Sequence, residues 1–284
     1  MKAHINHLIL KNVFRFASYA VIAVLVLIIG FIFVKGVGVI SPSFIFEFPR
    51  DGMTSGGIFP AIIGTLCLMA GSALISFPIG IMAGIYMNEY AKDGKMIRFI
   101  RLMTNNLSGI PSIVFGLFGM ALFVRYLGFG YSILAGSLTL AILVLPIVIR
   151  TTEEALKSVD NLYREASFAL GASKVYTIRK AILPIAIPSI TTGLILSLGR
   201  VSGETAPILF TVAAYFLPHL PTSIFDQVMA LPYHLYVIST SGMNIEKALP
   251  MAYGTAIVLI CIVLCCNLIA NFIRNRYSKQ NKMR

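Results

Sequence analysis

Six stretches of this chain run for about 18 residues or more with almost no charge, at positions 17–34, 58–87, 104–124, 126–149, 181–216 and 248–273. A helix needs roughly 20 apolar residues to cross about 30 Å of hydrocarbon. Lipid also leaves backbone N–H and C=O groups no partners but one another, which favours helices over open strands. The expected fold class is an all-α integral membrane protein with six transmembrane helices. Composition agrees: of 284 residues 57% are hydrophobic and 12% charged, and the mean hydropathy is +0.86, above the range of ordinary soluble domains.

Lys and Arg are crowded into alternate connections, which sets the orientation. One set holds Lys2, Lys11 and Arg15; Lys92, Lys95, Arg98 and Arg101; Arg150, Lys157, Arg164, Lys174, Arg179 and Lys180; and Arg274, Arg276, Lys279, Lys282 and Arg284. The other set holds only Lys35, Arg50, Arg125 and Lys247. Both termini are therefore expected on the cytoplasmic side, and topology accounts for the net charge of +12. Positive residues spread over short helix-flanking segments argue against a nucleic-acid partner, which would need one continuous basic surface.

Cys67, Cys261, Cys265 and Cys266 all fall in expected spans without CxxC spacing or a histidine cluster, so they read as packing residues rather than a disulfide or metal site. The first apolar run is too long for a signal-peptide core and has no small-x-small cleavage site, which makes it a retained anchor. Three regions follow. Positions 1–57 form a cytoplasmic start, an anchor helix and an outer loop carrying Glu47 and Asp51; 58–273 form a five-helix body; 274–284 form a basic cytoplasmic tail. Gly64, Gly71, Pro78, Gly80, Gly84, Gly109, Pro111, Gly116 and Gly119 lie at membrane depth. Small residues there allow close helix approach, and prolines allow bends.

The longest cytoplasmic connection, 151–184, has structure of its own. Thr151 and Glu154 stand at capping-box spacing; Val159, Leu162, Tyr163, Ala166 and Ala169 then repeat at helical intervals. Gly171 suits the left-handed end of a helix. Ser173 can cap a second short helix, VYTIRKA, that runs into Leu183-Pro184. The expectation is a helix-turn-helix on the cytoplasmic surface, its apolar side covered by its own bundle together with either a partner protein or lipid.

Within it, REASFALGASKVYTIRKAILPIAIP resembles the EAA loop of ABC importer permeases: Glu-Ala-Ala, three residues, Gly, nine residues, then Ile-x-Leu-Pro. Glu165, Ala166, Gly171, Leu183 and Pro184 match at the right spacing, while Ser167 and Ala181 depart from it. GGIFPAIIGTL, PIGIMAGIYMNEYA, GIPSIVFGLFG, RTTEEAL and GRVSGETAPILFT are similar to the phosphate-specific permeases, over nearly all of 56–253. The GETAP form looks like one particular member of the pair of sister permeases in such systems.

The resemblance implies a type I ABC importer core of the MetI-like kind in a bacterial or archaeal cytoplasmic membrane. It implies as partners a sister permease subunit, a dimer of ATPase subunits beneath, an extracytoplasmic phosphate-binding protein above, and the lipid bilayer around. It implies that the EAA loop docks on the ATPase. No GxxxxGK[ST] occurs in the chain, so ATP and Mg are expected to be used by the partner ATPase, with no cofactor bound here. The chain is expected to be a translocation subunit and not an enzyme.

One pair of charges interrupts the fifth apolar run, in LGRVSGETAP. Arg200 is about sixteen residues past Pro184, roughly 24 Å of helix, and so well inside the bilayer. A charge there needs a partner or a wet cavity, and Glu204 is one turn further on. Two readings stand: a self-neutralising structural pair, or a guanidinium facing the pathway that meets the oxygens of a phosphate, with Glu204 holding it between turnovers. Arg150, expected at the cytoplasmic end of the fourth helix, is either a positive-inside anchor or a second phosphate contact near the exit. Arg125 reads as an outer-edge anchor. His219 and His234 fall in the last outer loop, where they can meet a binding protein. Sulfate, molybdate or phosphonate permeases share the same loop and fold, and a stand-alone secondary anion transporter is the remaining alternative.

Overall fold

The computed structural model describes residues 2–53, 55–92, 94–241 and 245–282; Arg284, at the end of the basic tail, lies outside the described residues. The first span lies in α1 (Lys2–Gly36), which from Leu10 onward is apolar and almost wholly exposed. It meets the rest of the protein at its outer end, where Gly36 lies against the backbone of Tyr253 and Phe31 stands edge-on to the Tyr253 ring at 5.7 Å.

The outer segment that follows is docked rather than free. Ser41 caps the short α2 (Pro42–Phe46) by accepting from the Phe44 N–H at 3.1 Å. Two residue pairs then form a small antiparallel hairpin, β1 (Pro49–Arg50) with β2 (Ser55–Gly56). Phe44 and Met53 are buried in one cluster with Ile58, Met229 and Leu231.

The body is built on α3 (Phe59–Ile85) and, further along the chain, α6 (Ile133–Lys157). Gly80 of α3 rests on Val148 of α6, and Gly84 on Thr152. Residues four apart on each helix lie on one face, and the numbers rise together on both. The two helices therefore run the same way through the membrane, from outside to inside. Beyond Ile85 a wider π-helical turn, Tyr86–Tyr90, carries α3 into the cytoplasm.

The continuous span expected over 104–124 is not formed. An amphipathic helix, α4 (Lys95–Leu107), bends by 101° into α5 (Ser112–Gly119), which continues as a π-helical stretch to Tyr126. Ser108, Gly109 and Pro111 account for the break: proline disfavours helical geometry in the residue before it and lacks the N–H the helix would use. Five helices are long and apolar enough to cross, and six crossings result when the bent pair is taken as one.

Two other boundaries move. α6 passes through Thr151 without interruption. There the Thr151 hydroxyl donates back to the Ile147 carbonyl at 2.8 Å, so the expected capping box does not exist and Arg150 is an interior residue of the helix. The real helix start comes at Asp160, whose carboxylate accepts from the Leu162 N–H and opens α7 (Asn161–Ala169). Gly171 is left-handed, with φ +77, and Ser173 caps α8 (Lys174–Thr177) as expected. This helix does not stop: through a π turn it joins α9 (Leu183–Gly203) in one span, Lys174–Gly203.

The run expected to reach position 216 ends at Gly203. A single turn, α10 (Ala206–Leu209), follows and packs on α5, where Gly116 touches Ala206 and Pro207. Residues beyond it lie over the outer end of α6, whose first N–H groups are satisfied from outside: Ser132 donates to Thr211, Ile133 to Asp226 and Leu134 to Ile224. Backbone N–H groups of Thr222 and Ser223 donate to the Asp226 carboxylate at 2.7 and 2.8 Å and hold its pKa below the ordinary range. The last helices are α11 (Leu231–Ser241) and α12 (Ile245–Lys282).

His234 of α11 is not available to a binding protein. It is 2% exposed, and neither ring nitrogen has a hydrogen-bond partner; burial pushes its pKa down to about 4. The neutral ring is thus built into the fold, while an unfolded chain takes up a proton near pH 6.5. Stability contributed this way is full above pH 6.5 and lost as the pH falls toward 4, by about 3 kcal/mol at the limit. Thermal unfolding in detergent is expected to show a midpoint falling between pH 7 and pH 5, and a His234→Phe protein is expected to lose most of that slope. His219 remains exposed.

Candidate functional site

Two charged constellations and one surface loop stand out. The loop is α7 with the start of α8. Glu165, Ala166 and Gly171 are exposed on it, and Leu183 and Pro184 are half-buried where the chain turns into α9. Exposed beside Glu165 are Leu162, Tyr163, Phe168, Leu170, Val175 and Tyr176. Such an apolar surface, outside the membrane helices, marks a protein-docking face. Ser167, one of the departures from the motif, shares a 2.8 Å hydrogen bond with Thr177 and so ties α7 to α8.

Arg164 fastens the loop to the body. Arg164 donates from Nη2 to Glu89 Oε1 at 2.7 Å and from Nε to Oε2 at 3.4 Å. It also donates to the carbonyls of Leu156 and Val159, each at 3.0 Å, and to Asn161 Oδ1 at 3.2 Å. Its side chain is 16% exposed and that of Glu89 7%. A planar guanidinium can serve several acceptors in this way; an ammonium cannot. Nearby, the Lys174 ammonium stands 4.9 Å over the Tyr90 ring. The α7–α8 loop is thus held at two points against the cytoplasmic end of α3. Neither contact was expected from the sequence, because Glu89 and Arg164 are 75 positions apart.

Arg200 and Glu204 do meet, Nε to Oε1 at 3.2 Å, with 35% and 15% of their side chains exposed. Their depth follows from packing. Gly193 of α9 rests on Thr151 of α6, about 27 Å below the outer end of α6, and Arg200 is about 10 Å further out along α9. The pair therefore lies near mid-membrane, where α9 ends. A helix end at that depth leaves carbonyl groups unpaired and a negative pole, and the Arg200 cation sits in its last turn. Broken helices are tolerated in membranes where they line a cavity or are covered by protein.

Arg150 is not brought to that pair. It binds Glu154 at 2.8 Å and, with Arg101, Glu153, Lys157, Thr104 and Asn105, borders a cytoplasmic cleft of about 170 Å³. Glu153 is the hub there, accepting from Arg101 at 2.8 Å and from Lys157 at 2.7 Å. Arg125 is exposed at the outer end of the stretch that follows α5. No group of three or more His, Cys, Asp or Glu residues able to hold a metal occurs among the described residues.

A family model for the binding-protein-dependent transport system inner membrane component matches residues 76–281. The chain belongs to that family. As such an inner membrane component it is a multi-pass protein of the cell membrane, a permease of the ABC importer type that works with a binding protein. It is 36% identical over 285 residues to a probable ABC transporter permease protein, YqgI, of Bacillus subtilis, covering 96% of both chains. It is 40% identical over 222 residues to phosphate transport system permease protein PstA 1 of Mycobacterium tuberculosis, covering 78% of this chain and 71% of that one. It is 34% identical to a probable PstA of Methanocaldococcus jannaschii over 232 residues, covering 82% and 79%.

The fold of the permease is likewise that of solved importers. It aligns with a chain of the MetNI methionine ABC transporter in inward-facing form at a TM-score of 0.61 and 19% identity, covering 78% of this chain and 97% of that one. It aligns with a chain of a bacterial alginate ABC transporter crystallised with its alginate-bound periplasmic protein at 0.67 and 15%, covering 95% and 96%.

Proposed function

We propose that this permease is one of two side-by-side translocation subunits of an ATP-driven importer of inorganic phosphate, and that an extracytoplasmic phosphate-binding protein delivers the ion to it. The identity to phosphate transport system permeases over three quarters of the chain carries the reading. ATP and Mg are used in this scheme by a partner ATPase, a reading supported by the lack of a phosphate-cradling GxxxxGK[ST] in the sequence. The exposed α7 face around Glu165, Ala166 and Gly171 is the surface offered to that ATPase, and Leu183-Pro184 passes its movement into α9.

Arg200 supplies positive potential at mid-membrane for the passing oxyanion, and Glu204 neutralises it in the resting state. Exchange of partners, Glu204 for phosphate, then gates passage while keeping the Arg200 cation paired at depth. Arg150 forms the same kind of pair with Glu154 closer to the cytoplasm and is a second contact on the exit side.

The test is ATP-dependent uptake of radiolabelled phosphate into vesicles holding this chain with its sister permease, ATPase and binding protein. Glu165→Lys is expected to abolish uptake while the permease remains inserted and assembled. Excess unlabelled sulfate, molybdate or phosphonate is expected to leave uptake unchanged; competition by one of them reassigns the substrate. Uptake that needs no ATP and ignores Glu165 points instead to a secondary transporter.

A further inference from the structure

The amphipathic helix α4 has no role in the scheme above. It turns by 101° into α5 at residues 108–111, and α5 enters the membrane, so α4 runs along the cytoplasmic surface. At 100° per residue, Met96, Phe99, Ile100, Met103 and Leu107 share an arc of about 100°, and all of them except the half-buried Ile100 are exposed. On the next side Ile97 is buried and Arg101 is drawn inward to Glu153. The third side carries Lys95 and Arg98, exposed and without an ion-pair partner among the described residues. Residues 94–107 hold three basic side chains and no acidic one.

We propose that α4 is an interfacial helix that binds the acidic phospholipids of the cytoplasmic leaflet, with the Met96, Phe99 and Met103 face among the acyl chains and Lys95 and Arg98 against headgroup phosphates. An apolar arc with a basic margin is the pattern that seats a helix at a bilayer surface. Lysine and arginine stems reach from such a position to the phosphates while their methylenes stay in apolar surroundings. Lipid is the occupant the geometry favours, because the bend places α4 at the level where α5 enters the bilayer. The positive margin also matches the negative potential of an acidic leaflet. Since Arg101 ties α4 to Glu153, this anchorage holds the cytoplasmic end of α6 as well.

The chain has no tryptophan, so Phe99→Trp gives the full-length protein a single indole on the face in question. In vesicles containing equal mole fractions of brominated lipid, brominated phosphatidylglycerol is expected to quench it at least twofold more than brominated phosphatidylcholine. Each basic residue is expected to contribute about fivefold to relative lipid affinity. Adding Lys95→Gln with Arg98→Gln, or raising the salt to about 1 M, should therefore erase the difference while quenching by both lipids persists. Equal quenching by the two lipids in the protein with its basic residues intact would overturn the proposal. So would the absence of quenching by either, which means that protein covers the face. Should Phe99→Trp disturb insertion, Met96→Trp on the same face gives the same readout.

Discussion

Changing Glu89 to Lys is expected to abolish ATP-driven uptake in a permease that still inserts. Glu89 and Arg164 satisfy each other at a site where little of either side chain is exposed. Removing one partner of such a pair costs about 3–5 kcal/mol, and two cations in place of an ion pair raise the cost further. The carbonyls of Leu156 and Val159 still hold Arg164, so α7 swings away from α3 instead of unfolding. Force applied to the loop then no longer reaches α3. Glu89→Gln should be intermediate, since its amide oxygen still accepts one bond. The reversed pair, Glu89→Arg with Arg164→Glu, should stay defective, because a carboxylate cannot donate to backbone carbonyls. Uptake and binding-protein-stimulated ATP hydrolysis measured on the same vesicles decide the matter: uptake within twofold of wild type in Glu89→Lys would show that coupling does not pass through this contact.

Arg200→Gln is expected to lower phosphate uptake by about 10- to 100-fold, the equivalent of one charge-assisted hydrogen bond of roughly 1.5–3 kcal/mol. That change alone also strands the Glu204 carboxylate, so it cannot separate a substrate contact from a structural pair. The doubly neutral Arg200→Gln/Glu204→Gln protein does separate them. A pair that serves only to neutralise itself can be replaced by two amides with little loss, whereas a cation that meets phosphate cannot. Uptake should therefore stay low in the double variant, and recovery to the wild-type rate there would reassign Arg200 to structure.

The turn between α7 and α8 is readable in the sequence because its causes are local. Gly171 takes a left-handed conformation that costs other residues a clash with their own Cβ, and Ser173 bonds an N–H three residues away. The capping box expected at Thr151 does not form, for a related reason. A threonine hydroxyl can bond forward to a free N–H or back to a carbonyl one turn earlier, and only the continuity of α6 chooses between them. The bend before α5 has its signals in Ser108, Gly109 and Pro111, but a proline at membrane depth is compatible with a bent continuous span as well as with a break, and only the structure chooses the break. Lys95, Arg98 and Arg101 fall in a basic connection whose helical form only the structure shows.

What the sequence alone determined is what composition and short-range patterning control: a helical membrane protein, the side on which each connection lies, the turn at Gly171 and Ser173 between α7 and α8, and an arginine and a glutamate one turn apart inside an apolar run. What only the tertiary structure decided is which distant groups share a place: the fastening of Arg164 to Glu89, the Glu153 hub beneath Arg101 and Lys157, the burial of His234, and the end of α9 at Gly203, which puts Arg200 in its last turn. The physical reason is that lipid enforces local hydrogen bonding and apolar length residue by residue, whereas the partner of a buried charge is set by how helices pack against one another, which no neighbourhood in the chain encodes.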